Sequence, residues 1–96
     1  PNPMREYESR LADGDEFLNM KQWYNAAFEY KRALEIRPNG ERANYRLTLA
    51  TIHLCEEDNR GCNQVSNLLR KLEKIDYDRK KIQGLRLRWE GVQQNL

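Results

Sequence analysis

The sequence predicts an all-α protein built from antiparallel helix hairpins. Three observations carry this. Apolar residues recur at spacings of three and four along most of the 96 residues, which is the period of one helix face and not the alternation of a strand. The tripeptide Pro38-Asn39-Gly40 is strong turn punctuation, because each residue type favours a turn geometry that a helix interior does not. Only Met20-Lys21-Gln22 separates the first two apolar stripes, and a link that short makes two helices antiparallel neighbours.

The first helix is expected over residues 4–19, with Tyr7, Leu11, Gly14 and Leu18 on one stripe and Phe17 beside it. Gly14 costs about 1 kcal/mol relative to alanine in a helix interior, a cost that a closely approaching helix would justify. The second helix is expected over residues 23–37. Trp23, Ala26, Ala27, Tyr30, Ala33, Leu34 and Ile36 form its apolar face, and Glu29, Arg32 and Glu35 face water. A third should start near Glu41 and end between Glu57 and Asn59. Ala43, Leu47, Ala50 and Leu54 make one stripe, with Tyr45, Leu49 and Ile52 beside it. An apolar surface that broad predicts a central helix packed on more than one side.

Gly61 suits a residue just past the end of the third helix, and the fourth helix is expected over residues 62–75, using Val65, Leu68, Leu69, Leu72 and Ile75. The fifth is expected over residues 78–94. Asp78 suits its N-cap, and Ile82, Leu85, Trp89, Val92 and Leu96 give its stripe. The other face carries Arg79, Lys80, Gln83, Arg86, Glu90 and Gln94. One apolar and one charged face is what a terminal capping element requires.

Hydrophobic residues are 39% and charged residues 33%, a balance that suits a folded domain with a wet surface rather than disorder. No apolar run approaches the roughly 18 residues of a membrane span, and no membrane association or signal peptide pattern is expected. The chain opens on Pro1-Asn2-Pro3, as expected of a piece cut from a longer protein. The net charge of +2, from 17 basic and 15 acidic residues, argues against a dedicated nucleic-acid binder. Residues 70–88 hold a local excess of bases over Glu73, Asp76 and Asp78. That excess fits either a site for an acidic partner or a solvated helix face.

Cys55 and Cys62 are too few for a disulfide scaffold. They are expected to be reduced in a cytoplasmic or other intracellular setting, with a bridge between them left open. His53 is the one histidine, and nothing places a nucleophile and an orienting acid around it as a hydrolytic triad needs. His53, Cys55, Cys62 and Asp58 are zinc-ligand types, but Cys-x6-Cys is not a usual ligand spacing. No phosphate loop or dinucleotide fingerprint occurs. No enzyme activity, metal or cofactor is expected. Trp89 beside basic residues has the composition of a base-stacking site, but it shares its stripe with Leu85 and Val92, so core packing is the better account.

The turns after the second and fourth helices are alike: Leu34-Glu35-Ile36-Arg37-Pro38-Asn39 against Leu72-Glu73-Lys74-Ile75-Asp76-Tyr77-Asp78. In the first unit Gly14 is followed by Phe17, and then by Trp23-x2-Ala26-x3-Tyr30-x2-Ala33-x4-Pro38. On these residues the sequence resembles the tetratricopeptide repeat family, whose unit is a helix–turn–helix of about 34 residues. Arg10 and Asp13 depart from the family's large apolar positions. The second unit is stretched, with Val65, Leu69 and Leu72 for its small–aromatic–small set and Tyr77 in place of the proline. The division that follows is a single domain over 1–96, with a first repeat over 5–38, an irregular second over 39–78 and a capping helix over 79–94.

The resemblance implies a short right-handed superhelix that binds a peptide or helix of a protein partner in a concave groove lined by the first helix of each pair. The groove residues it implies are Leu11, Asp15, Leu18 and Asn19, then Asn44, Leu47, Ala50 and Thr51, joined by Lys81 and Arg88. The framework residues are Gly14, Phe17, Trp23, Ala26, Tyr30, Ala33 and Pro38, with Leu69, Leu72 and Trp89 in the second half. One subgroup of the family clamps a chaperone's C-terminal carboxylate. Asn44 matches its asparagine, but Leu11 and Asp15 replace its lysine and its other asparagine, and Asp15 would repel a carboxylate. The function expected is therefore a protein–protein interaction module, a scaffold or adaptor, whose partner would carry an acidic segment only if the 70–88 excess is a site rather than a solvated helix face. The rival is a structural or self-associating part of a larger assembly, since thin arrays bury exposed apolar edges in copies of themselves.

Overall fold

A computed structural model describes residues 2–96 and contains no strand among them. The elements are α1 (Pro3–Asn19), α2 (Trp23–Ile36), α3 (Glu41–Asp58), a 3₁₀ turn (Cys62–Gln64), α4 (Val65–Lys74) and α5 (Arg79–Gln93). No helix among the described residues is long and apolar enough to cross a membrane. The molecule measures 45 × 28 × 19 Å.

Local chemistry sets the helix ends. The Asn2 side chain accepts from the backbone N–H groups of Met4 and Arg5 and caps α1, with Pro3 at its first position, where a proline's missing N–H costs nothing. Asp78 caps α5 through the N–H groups of Lys80 and Lys81, as the sequence predicts. At the Pro38-Asn39-Gly40 turn the buried Asn44 side chain donates to the carbonyls of Pro38 and Gly40. The turn is thus stapled by the first turn of the helix that follows it. Pro38 itself is exposed; it terminates α2 rather than filling the core.

Helix α3 is the central element and packs on each of the other helices. Charged pairs show that α1, α3 and α5 run parallel: Arg42 meets Glu8 and Arg46 meets Asp15 between α1 and α3, while Lys81 lies over Tyr45 and Arg88 reaches His53 between α3 and α5. Helices α2 and α4 run the other way. Met4 at the start of α1 meets Arg37 just past the end of α2, and Tyr77 after α4 meets Tyr45 in the second turn of α3. No close backbone approach joins α2 to α4, so a cleft lies between them over α3.

The first core cluster joins α1, α2 and α3 through Tyr7, Leu11, Ala26, Ala27, Tyr30, Ala33, Ala43, Leu47 and Ala50, with Phe17 and Leu18 packed against it. It is assembled from rings set into notches. A Cβ at Gly14 would collide with the Tyr30 ring, and one at Gly40 would overlap the Tyr7 hydroxyl. The expected close approach at Gly14 is therefore present. The second cluster joins α3, α4 and α5 through Ile52, Cys55, Val65, Leu69, Leu72, Ile82, Leu85, Trp89 and Val92. Trp23 is 8% exposed and stacks on the His53 ring at 4.0 Å.

The cysteines correct the expectation of free thiols. Cys55 and Cys62 form a disulfide with their Cα atoms 4.9 Å apart. The cause is the chain reversal after α3. Asn59 adopts the left-handed conformation (φ 54°) and accepts the role of helix C-cap, and Gly61 (φ 72°) turns the chain back. A glycine suits that second position because it bears no Cβ to strain. The reversal also starts the fourth helix late, at Val65, after a 3₁₀ turn over the residues expected to be helical. With both sulfurs joined, the case for a reducing compartment that rested on two free thiols is withdrawn.

Candidate functional site

The stripe that α2 gives to the core, Trp23, Ala26, Ala27, Tyr30 and Ala33, leaves the opposite side of the helix outside. Tyr24 and Phe28, one turn apart on that side, are 52% and 49% exposed. They form one wall of a groove of about 140 Å³, together with Ala27 and Lys31. Its floor is Thr51 and Leu54 of α3, and its other wall is Arg60, Gly61 and Gln64. The second wall is held in place twice. The disulfide ties the 3₁₀ turn to the last turns of α3, and Gly61 sits so close to Thr51 that a Cβ there would lie 3.3 Å from its methyl group. The Arg60 guanidinium stacks on the Tyr24 ring at 4.5 Å and Arg32 lies 5.8 Å from the Phe28 ring centre. Such contacts fix the cations and leave their edge N–H groups free to donate.

Apart from Thr51, which also floors the α2 groove, the residues that the sequence placed in a groove on α1, α3 and α5 have other roles. Leu11, Asn44, Leu47, Ala50 and Thr51 are buried. The reason is the central position of α3, which has a neighbour on every apolar side. Asn44 serves the Pro38–Gly40 turn, and the Thr51 hydroxyl donates to the Leu47 carbonyl one turn back. Asp15 accepts from the Tyr30 hydroxyl at 2.6 Å and from Arg46 at 2.9 Å, so it ties three helices together. Burial, and then the bond to Asp15, hold the Tyr30 phenol protonated far above its usual range. Leu18 is half-buried against the first core, and Asn19 is exposed at the end of α1. Lys81 lies over Tyr45, and Arg88 spans His53 and Glu56. Asp15, Lys81 and Arg88 do share the α1–α3–α5 side, but each is engaged with its own chain.

The framework assignments fare differently. Gly14, Trp23, Ala26, Tyr30, Ala33, Leu69, Leu72 and Trp89 are buried, and Phe17 is half-buried against the first cluster. Trp89 is a core residue of the second cluster. His53 is half-buried between Trp23 and Arg88, and its pKa is lowered, first by burial and then by the Arg88 charge, against the opposing pull of Glu57 and Glu56. No group of three or more histidine, cysteine, aspartate or glutamate residues that could hold a metal occurs among the described residues.

The basic excess of residues 70–88 does not make one patch. Arg86 pairs with Glu73, and both line a recess of about 400 Å³ with Asp76, Tyr77, Arg79 and Ile82. Lys71 and Lys74 line another recess, of about 480 Å³, with Asn39, Glu41 and Ile75. Each recess carries a carboxylate among its cations. Tyr24, Phe28 and Arg60 escaped the sequence reading, although one signal was there: two aromatics four apart on the polar side of α2. Comparison with known proteins gives no matching family model, no matching curated protein and no matching solved structure.

Proposed function

We propose that this chain is a protein–protein interaction module of the tetratricopeptide type, two helix hairpins closed by α5 as a capping helix, and that it holds a segment of a partner protein in the α2 groove. The observation that carries this is the half-exposure of Tyr24 and Phe28 along a groove whose far wall is covalently fixed. Aromatic side chains give large contact area at small entropic cost, which is why they anchor protein interfaces. The surface differs from the family's concave groove, because the inner helices of this chain are engaged with one another.

Selection of phage-displayed peptides on the folded chain tests the reading. The selected binders should lose their hold on a Tyr24→Ser/Phe28→Ser double variant, whose changes lie on the surface and leave the core intact. Binders that keep their affinity for that variant, or a selection that yields none, would overturn it. One observation favours the structural alternative: Leu87 stands 61% exposed on the outer side of α5, flanked by Gly84 and Gly91, which have open space beside them. Light scattering decides that alternative, through a concentration-dependent mass abolished by Leu87→Glu.

A further inference from the structure

We infer that the segment held by the α2 groove is acidic, a run of carboxylates around one large apolar side chain; this rests on the reading above that the groove is the binding surface. The size of the groove sets the anchor. A dry cavity of roughly 150 Å³ takes one benzene ring, and the room between Tyr24, Phe28 and Leu54 is about 140 Å³. One phenylalanine, leucine or isoleucine side chain fills it, packed against two rings and an aliphatic floor.

Charge sets the flanks. The charged residues that line the groove are Lys31 and Arg60, and no carboxylate lines it. Among the described residues neither forms an ion pair, and neither does Arg32 over Phe28, whereas Arg10, Arg42, Arg46, Arg86 and Arg88 each meet a carboxylate. The other two recesses contain their own acids. Lys71, Lys74 and Arg79 of the other recesses also form no ion pair among the described residues, but each of those recesses has a carboxylate in its lining, so the α2 groove is the one of the three whose cations have no acid beside them. Arg60, already stacked on Tyr24, is held in a pose from which its N–H edge meets a carboxylate without further ordering. A nucleic acid would need a longer basic stripe than two cations supply, in a chain whose net charge is +2.

The test is a titration of the ¹⁵N-labelled, disulfide-intact chain with end-blocked peptides that carry a central phenylalanine between glutamate pairs, glutamine pairs or lysine pairs. The glutamate peptide should shift the amides of Tyr24, Ala27, Phe28 and Gly61. Its affinity should fall as salt screens exposed charges. Lys31→Gln and Arg60→Gln should each weaken it about two- to fivefold, the range of exposed ion pairs. The glutamine peptide should bind more weakly and the lysine peptide not measurably. Glutamine or lysine peptides that match the glutamate peptide at the same amides would overturn the acidic assignment and leave the binding module standing. An oligouridylate that shifts those amides more strongly than the glutamate peptide would overturn it in favour of a nucleic acid. If no peptide moves the groove amides, the inference fails, and the display selection alone judges the module.

Discussion

The two halves of this molecule stabilise a helix pair in different ways. In the α1–α2–α3 half, large rings enter notches made by small residues, and the bonds among Asp15, Tyr30 and Arg46 lock the arrangement. In the α3–α4–α5 half, the buried cluster is mostly aliphatic with Trp89 as its one buried ring, its helical glycines 84 and 91 face open space, and a disulfide fixes one end. Ring-and-notch packing fixes one geometry tightly and punishes change in either partner. Aliphatic packing tolerates volume-conserving change, and it relies on a covalent link where the chain reverses.

The largest effect should come from removing the ring. Tyr30→Ala is expected to cost about 3–5 kcal/mol, as for large aromatic truncations in a core, because Tyr30 is fully buried and Asp15 loses its donor. Leu69→Ala in the other half is expected to cost less, near the lower end of the roughly 2–5 kcal/mol seen for buried leucines. Urea unfolding monitored by circular dichroism measures both, and an equal or larger loss at Leu69 would break the comparison. Next is the bridge. Cys55→Ser/Cys62→Ser closes no loop in the unfolded chain and should cost about 2–3 kcal/mol. Hydrogen exchange should place the loss in residues 59–75 and spare α1. Protection lost equally from α1 would mean that the halves do not differ.

A matched pair of glycine substitutions sharpens the contrast further. Gly14→Ala drives a methyl group into the Tyr30 ring and should cost about 1–3 kcal/mol. Gly84→Ala meets open space in α5 and should gain up to about 1 kcal/mol from helix propensity. The same chemical change is thus predicted to have opposite signs in the two halves, which thermal melts can read directly. The smallest effect concerns His53, at the junction. Its pKa in the folded chain lies below the ordinary 6.5 because of burial and Arg88. The unfolded chain therefore takes up the proton first. The contribution of His53 is complete above about pH 6.5 and is lost as the pH falls from there to the folded-state value. His53→Gln should flatten that part of the stability profile, and an unchanged profile would show that the ring is not shielded.

Much of the fold was legible because it is local. The apolar spacing places every helix, the cap at Asp78 follows from a short polar side chain, and a close helix approach at Gly14 follows from its missing side chain, whereas the Asn2 cap and the Tyr30 ring as the neighbour at Gly14 emerge from the structure. The site was less legible for a physical reason. A stripe of apolar residues marks which side of a helix is buried, but not how many neighbours bury it. Leu11, Leu47 and Ala50 therefore fit a groove lining and core packing equally well in sequence, and the contacts of α3 on all sides made them core, while the buried Thr51 ended as the floor of a different groove, the one beside α2. Tyr24 and Phe28 lay outside the apolar stripe of α2, where single exposed hydrophobics are ordinary.

The sequence by itself determined the all-helical class, the order of the helices, the turn at Pro38-Asn39-Gly40 and the need for a close helix approach at Gly14, because these depend on periodicity and steric size within one or two turns. Tertiary structure alone decided the disulfide and the groove. Seven residues of unbroken helix would hold Cys55 and Cys62 roughly 10 Å apart along the axis, too far for a bridge. Only the reversal at Asn59 and Gly61 brings their Cα atoms to 4.9 Å. That same reversal carries Arg60 onto Tyr24 and gives the exposed side of α2 its second wall.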